Sequence, residues 1–219
     1  MIKLIKKVLC KKSICRSFQE IECEKFLLEN KSLEIGNSHL NKKSFFNFFK
    51  KNNNLKTFFC DTYNFRNKDY FKFDLEKKNS KNKKFKNILI FNVLEHVYDV
   101  DNAVYELKKI LKNKGKIYIS TPFLYQYHEA PKDYSRYTLD YFQKLSKKHG
   151  LKIHYQSSLG TGPFLASYCM LHGLLKKLYP LNVIFVIFSI FVDRFIKIFS
   201  GKLEKNYSIS FFIILKKNN

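Results

Sequence analysis

Ile88-Leu89-Ile90-Phe91-Asn92-Val93-Leu94-Glu95-His96-Val97 opens the stretch that decides the fold. Ile88 to Phe91 is a continuous apolar run, the pattern of a strand buried on both faces, because a sheet covered by helices on either side leaves no face for polar alternation. Asp99, with Asp101 as an alternative cap, then starts a helix. On it Ala103, Val104, Leu107, Ile110 and Leu111 form one apolar stripe at helical period, and Gly115 closes the segment. Lys116 to Ser120 reads as the next strand and Thr121-Pro122 stops it. Two strands joined through a helix predict a parallel pair.

Upstream of that unit, Ser32 to Ile35 is a short strand running into Gly36. Lys43 to Lys51 carries Phe45, Phe46, Phe48 and Phe49 at helical spacing, and Lys56 to Cys60 is β-type before Asp61. Tyr70 to Phe73 leads to Asp74, and Lys77 to Lys86 is a loop of lysine and asparagine. Downstream, a loop rich in aromatic and ionisable groups runs to Thr138, which caps a helix from Leu139 to Lys148 that Gly150 ends. Leu151 to Tyr155 is a strand, two apolar helical stretches follow, and Tyr207 to Leu215 is a long hydrophobic strand. The alternation predicts an α/β fold, a mostly parallel sheet with helices on both faces. Residues 1–30 read as a helical extension, helical from about Ser17 to Glu29, before a domain of 31–219. Within it 163–200 is a helical insertion or lid; Phe185, Phe188, Phe191, Phe195 and Phe199, near helical spacing, suit a core helix whose wet side is Asp193, Arg194 and Lys197, with a lid or an interfacial helix as the alternatives.

Composition narrows the function classes. With 219 residues, 45% of them hydrophobic, the chain has the size and apolar content of one globular domain and is not intrinsically disordered. Its five cysteines form no C-x-x-C pair, which argues against a disulfide framework or a zinc site and for a reducing, cytoplasmic setting. The formal charge of +23 invites a polyanion partner, yet only Arg16, Arg66, Arg136 and Arg194 of the 41 basic residues are arginine. Recognition of bases and phosphates favours the bidentate guanidinium, so no specific nucleic-acid binding is expected. Attraction to an anionic membrane stays open, which places the chain in the cytoplasm or peripherally at the inner face of the membrane. The N-terminal Met1 to Leu9 is broken by Lys3, Lys6 and Lys7 and is not a signal peptide; the uncharged run between Lys177 and Asp193 contains Pro180 and Asn182 and is too short to span a bilayer.

In such sheets ligands bind beyond the carboxyl ends of the strands. There stand Gly36, Asp61, Asp74, Asn92 and Thr121. Two separated carboxylates near a glycine turn suit a ligand with ribose hydroxyls and an amine-bearing base, because ionised carboxylates only accept hydrogen bonds.

Asn92 to Val97, then Leu111-Lys112-Asn113-Lys114-Gly115 and Ile117 to Pro122, resembles the class I S-adenosylmethionine-dependent methyltransferases, and more narrowly the methyltransferase type 11 group. Leu33-Glu34-Ile35-Gly36 is similar to the first half of that group's glycine-rich motif, and His128 to Thr138 to the H-x-x-P-x-D-Y-x-R-Y-T segment of one subgroup. The resemblance spans about Ser32 to Tyr155. It implies a Rossmann-like, seven-stranded, mainly parallel sheet with a final antiparallel strand, and S-adenosylmethionine as cofactor. It further implies that Glu34 and Gly36 shape the turn by the methionine moiety, Asp61 takes the ribose hydroxyls, Asp74 and Leu75 flank the adenine, and Asn92 with Val93 lines the pocket. Asn37 is either a cofactor contact or a turn residue.

His128, Asp133 and Arg136 form the candidate acceptor site: His128 as a base, Arg136 as a clamp for a carboxylate or phosphate, with an Asp133–Arg136 salt bridge as the structural alternative. Glu95 and His96 read as a pair holding the loop. The remaining histidines show no ligand spacing, so no metal is expected. The subgroup resemblance points to a small-molecule, carbohydrate or lipid-linked acceptor and to O-methylation. Gly36 is followed by Asn37, Ser38 and His39, where the family carries further glycines; this sustains a second reading, a degenerate methyltransferase-like binding protein. A third is an RNA-binding methyltransferase using Lys77 to Lys86.

Overall fold

Ile88, Leu89 and Ile90 are all fully buried, at the centre of a sheet with its neighbours on both sides. The computed structural model describes residues 2–10, 12–36, 44–61, 69–79, 83–129, 131–175, 177–178, 181–201 and 203–218. Its sheet has seven strands: β1 (Lys31–Ile35), β2 (Lys56–Asp61), β3 (Tyr70–Lys72), β4 (Phe85–Phe91), β5 (Leu111–Pro122), β6 (Leu151–Leu159) and β7 (Ser210–Lys217), in the order β3-β2-β1-β4-β5-β7-β6. β3 to β5 run parallel across the sheet, while β7 lies antiparallel between β5 and β6. This is the Rossmann-like architecture that the family resemblance implies.

The period of two along β4 divides the core. Ile88 and Ile90 face a layer built by α3 (Val100–Ile110) and α4 (Leu139–Lys148), through Val104, Leu107, Ile110, Phe142 and Leu145. Leu89 and Phe91 face the opposite layer, where Phe45, Phe46, Phe49, Tyr118 and Phe212 pack. A third cluster joins α1 (Ile2–Leu9), α2 (Ile14–Cys23), α5 (Pro163–Leu175) and α6 (Leu181–Lys197). Asp99 and Thr138 cap α3 and α4 as their positions predict, accepting from Asn102 N at 2.9 Å and Tyr141 N at 3.2 Å. None of the five cysteines forms a disulfide.

Four expectations change. The helix expected over 43–51 is a single 3₁₀ turn, Phe45–Phe48, followed by Lys50–Lys51 paired with Leu27–Leu28. Its phenylalanines are spent on the sheet, Phe45 against Phe91 at 4.5 Å and Phe49 against Tyr118 at 5.3 Å, and that packing overrides the helical spacing. The same pairing of Leu27–Leu28 ends α2 at Cys23 instead of Glu29, and its start moves up to the Ser13 cap. α3 stops at Ile110 because Leu111 already pairs with Phe85, so Gly115 is not its cap; the left-handed residue there is Lys114.

The fourth change concerns α6. Val183, Val186 and Ile190 are buried, but Phe188, Phe191, Phe195 and Phe199 are exposed, so the aromatic series does not form a core face. Asp193 is not on the wet side: it is fully buried and caps α5, accepting from Thr161 Oγ1 at 2.7 Å, Phe164 N at 2.9 Å and Leu165 N at 3.1 Å. Among the described residues no helix is long and apolar enough to cross a membrane.

Candidate active site

The sheet's order reverses between β1 and β4, and in sheets of this kind ligands bind beyond the carboxyl ends of the strands at such a reversal. Gly36 ends β1 at φ +81, with its N–H donating to Cys60 O at 3.1 Å. A Cβ on Gly36 would stand 2.4 Å from Val93 Cγ2, so only glycine permits both the left-handed turn and this approach of the two strand ends. Glu34, one turn of the pleat earlier, is buried and receives Phe45 N at 3.0 Å and the Ser44 hydroxyl. It thereby fastens the far end of the segment that leaves Gly36. Asn37 lies outside the described residues.

Asp61 ends β2 opposite Lys72 of β3, and its side chain lies outside the description. Asp74 forms an Asx turn, accepting from Glu76 N at 3.0 Å, while Lys77 Nζ stands 3.3 Å away and Asn79 bonds its backbone on both sides. Leu75 is buried, and its carbonyl accepts from Asn102 Nδ2 of α3 at 3.0 Å. The corner expected beside an adenine is therefore rigidly seated on α3.

Asn92 is left-handed at φ 54, and its N–H donates to Ser120 O at 2.8 Å. Its side-chain amide is engaged from an unexpected direction. Gln19 of α2, fully buried, donates Nε2 to Asn92 Oδ1 at 2.7 Å and receives Asn92 Nδ2 at 2.9 Å; the same Nε2 approaches Ser120 Oγ at 3.0 Å. Gln19 was not singled out by the sequence, although Cys15, Gln19 and Cys23 recur at four-residue spacing on the buried face of α2.

The loop after β5 brings His128, Asp133 and Arg136 together. The Asp133 carboxylate is buried, takes a bidentate grip from Arg136 and accepts His128 N at 2.9 Å. The Arg136 hydrogen bonds foremost, outweighing burial, hold its carboxyl down at about 2. Arg136 also donates to Ser135 O at 3.0 Å and Gln126 O at 3.3 Å, so its fork is committed to the loop. Gln126 in turn receives Gly173 N of α5 at 2.9 Å. The His128 ring meets His96 edge to face at 5.0 Å and Tyr125 at 5.5 Å.

Glu95 and His96 hold the loop mainly through other atoms than expected. The Glu95 carbonyl accepts Tyr134 N at 2.8 Å, and His96 Nδ1 pairs with Lys132 O at 2.6 Å. A carbonyl only accepts, so Nδ1 carries the proton and Nε2 keeps its lone pair. The Glu95 carboxyl is fully buried, and neither oxygen has a hydrogen-bond partner among the described residues. Burial pushes it up to about 8, against a smaller opposing pull from Arg136. Exposed tyrosines rim this corner, with Tyr98 and Tyr134 edge to face at 5.5 Å and Tyr127 nearby in sequence.

A seven-stranded sheet of this order with a glycine turn at its switch point defines the class I S-adenosylmethionine-dependent methyltransferase fold. The profile of the methyltransferase domain matches residues 16–157, and the chain belongs to that family. No curated protein matches it in sequence. Among solved structures it is similar to a protein from Galdieria sulphuraria assigned as a sarcosine dimethylglycine methyltransferase, at 13% identity and TM-score 0.58, covering 95% of this chain and 88% of that one. It is also similar to a protein from Bacillus halodurans assigned as a methyltransferase, at 11% identity and TM-score 0.55, covering 94% and 99%. A third is Haemonchus contortus phosphoethanolamine N-methyltransferase 2, solved with phosphomonomethylethanolamine and S-adenosylhomocysteine, at 13% identity and TM-score 0.54, covering 92% of this chain and 52% of that one.

S-adenosylmethionine is the cofactor of this fold, and Gly36 supplies the left-handed turn without a side chain that lets the end of β1 close on Val93 at the end of β4. Gly36, Val93 and Leu75, with Asp61 at the end of β2, would hold it.

Proposed function

We propose that the chain is an active methyltransferase acting on oxygen in a small-molecule, carbohydrate or lipid-linked acceptor at the surface of an anionic membrane. The observation that carries this reading is Gln126. Its carbonyl accepts from Arg136 of the acceptor loop and its side chain accepts from Gly173 of α5, so the loop is bolted to the helical pair α5–α6. That pair turns Leu174, Ile184, Phe188, Phe191 and Phe195 outward. On α6 the spacing of three and four residues puts the exposed side chains on one stripe, an arrangement that suits an interfacial helix. Lys6, Lys177 and Arg194 are exposed in the same helical layer, and the chain's charge of +23 complements anionic lipid. The exposed faces of Tyr98, Tyr127 and Tyr134 suit stacking against a sugar or a quinol ring.

Bound S-adenosylmethionine supplies a methyl group on an already activated sulfonium. The chain's residues need only align the acceptor, exclude water and accept the proton of its hydroxyl. His128, partly exposed beside the buried Asp133, is the group we assign to that proton. Arg136 and Asp133 position it by fixing the loop.

Calorimetry with S-adenosylmethionine and its demethylated product tests the reading. No binding of either at about 1 mM, the upper end of the ordinary range for enzyme sites, would overturn it and favour a non-catalytic binding protein. One observation speaks for that second reading: the Asn92 amide, expected to line the pocket, is already paired with Gln19.

A further inference from the structure

We propose that Glu95, His96 and His128 form a binding site for a divalent transition-metal ion. One ligand atom from each of the three lies within 4.8 Å of the others, with His96 Nε2 at 3.8 Å from Glu95 Oε1. An ion about 2.1 Å from each nitrogen and oxygen needs its ligands somewhat closer together, a contraction within the reach of side-chain torsions.

Three features argue that this is a built site. Glu95 is fully buried yet has no hydrogen-bond partner for either oxygen among the described residues, which is costly unless something else satisfies it. Its neighbour His96 is fixed in the tautomer that turns an unprotonated Nε2 toward that carboxyl, because Nδ1 is bound to the Lys132 carbonyl. An outer hydrogen bond of this kind is what orients metal-binding imidazoles. His128 is held in the same manner by its loop: its backbone N–H binds Asp133, whose Oδ2 also stands 3.4 Å from Nδ1, with Gln126 O at 3.4 Å. Arg136, the cation in this corner, is neutralised by its bidentate pair with Asp133.

Two imidazoles and one carboxylate leave open positions on the ion and select zinc, cobalt, iron or manganese over magnesium and calcium. The cluster joins the end of β4 to the loop after β5, on the edge of the sheet where Gly36 and Asn92 stand. Its role rests on the proposed function: an acceptor hydroxyl bound at an open position forms a metal–oxygen bond, its O–H bond weakens, and the proton leaves to solvent or to a neighbouring base. With the ion bound, His128 is a ligand and not the base, and the ion takes over the activation of the oxygen that His128 would otherwise perform.

The test uses the untagged full chain and Co²⁺, whose visible bands report its coordination, with Zn²⁺ as competitor. The expected result is a single saturable site with Kd of about 10 μM or below, weakened about tenfold or more by Glu95→Gln and by His128→Gln. His149→Gln, at the imidazole that pairs with Asp101 at 3.0 Å, should leave it unchanged. Circular dichroism checks that each variant folds; if Glu95→Gln does not, the partly exposed His128 carries the test. No saturable binding up to about 1 mM Co²⁺, or binding that neither variant alters, overturns the proposal. Calorimetry with the demethylated cofactor runs on the same samples. A chain that binds cofactor but no metal sinks this inference alone, and one that binds metal but no cofactor sinks the proposed function alone.

Discussion

The side-chain amides of Gln19 and Asn92 face each other and exchange two hydrogen bonds, Nε2 to Oδ1 at 2.7 Å and Nδ2 to Oε1 at 2.9 Å. They lie 73 residues apart in the chain, so this pair ties α2 directly to the end of β4. Gln19→Ala should cost about 1–3 kcal/mol, because it strands a polar group of Asn92 and removes a buried donor from Ser120. Gln19→Glu should cost at least as much, since a carboxylate cannot donate to Asn92. Urea unfolding of the two variants checks both; a change below about 0.5 kcal/mol in each would mean that water replaces the pair without loss.

Gly36 and Val93 give a second expectation. Gly36→Ala meets both a left-handed φ of +81 and a contact at 2.4 Å with Val93 Cγ2, and should destabilise by more than about 2 kcal/mol. Adding Val93→Ala removes the contact but not the backbone strain. The two changes should therefore couple favourably by about 1–2 kcal/mol in a double-mutant cycle, while additive effects would show that the strands part to admit the methyl group. Cofactor affinity should fall in Gly36→Ala whichever way the strain is relieved.

Glu20 predicts a pH dependence. Its carboxylate is buried among Lys7, Lys12 and Arg16, at 2.5, 2.9 and 3.0 Å. Burial raises its proton affinity, but hydrogen bonds from Lys7 and Lys12 outweigh burial and hold the carboxyl below its ordinary value. A folded-state value below the unfolded one means stabilisation that is present above the unfolded pKa and lost as pH falls through the folded one. Glu20→Gln should thus lower stability at pH 7 by about 1–3 kcal/mol. The gap to the parent chain should close progressively as pH drops below the ordinary glutamate range; a gap that persists unchanged in acid would assign the loss to packing.

Asp193 predicts the behaviour of the helical pair. It satisfies two backbone N–H groups at the start of α5 and the Thr161 hydroxyl, with no room to spare: a Cβ on Gly162 would lie 2.7 Å from its Oδ1. Asp193→Ala should cost about 2 kcal/mol, the loss of a buried cap. Hydrogen exchange should quicken first in α5 and α6, because those helices pack on the cluster with α1 and not on the sheet.

The fold was legible where one local pattern agreed with its surroundings. Ile88 to Phe91 reads as a doubly covered strand and is one; Asp99 and Thr138 cap the helices that follow them. It was less legible where packing overrode periodicity, as at Phe45 to Phe49, whose helical spacing ends in one 3₁₀ turn because the rings are drawn onto Phe91 and Tyr118. Of the candidate site, the cluster of His128, Asp133 and Arg136 was visible because its members are close in the chain. Gln19, and the approach of His128 to Glu95 and His96, join elements far apart in sequence, and no spacing rule reaches across them. Asp193 misled for the opposite reason: beside Arg194 and Lys197 a charge reads as solvated, and only the start of α5 overhead makes it a buried cap.

The exposed stripe of α6 yields the last prediction, which rests on the proposed membrane contact. Ile184, Phe188, Phe191 and Phe195 are each more than half exposed, at 56–64%, and face one side of a helix. Such a face left in water is unfavourable by the transfer of several aromatic side chains, and a bilayer interface is the partner whose chemistry matches apolar residues flanked by lysine and arginine. The chain should cosediment with vesicles containing phosphatidylserine, less with neutral vesicles, and progressively less as salt screens the lysines. Phe188→Asp with Phe191→Asp should weaken that binding about tenfold or more, since it replaces rings that would insert into the interface by charges repelled by the lipid, while the far-UV dichroism stays that of the parent chain because neither ring belongs to the core. Binding to neutral and anionic vesicles alike would leave the apolar face and remove the charge from the argument. No binding to either would remove the membrane, and with it the reason to expect a lipid-linked acceptor.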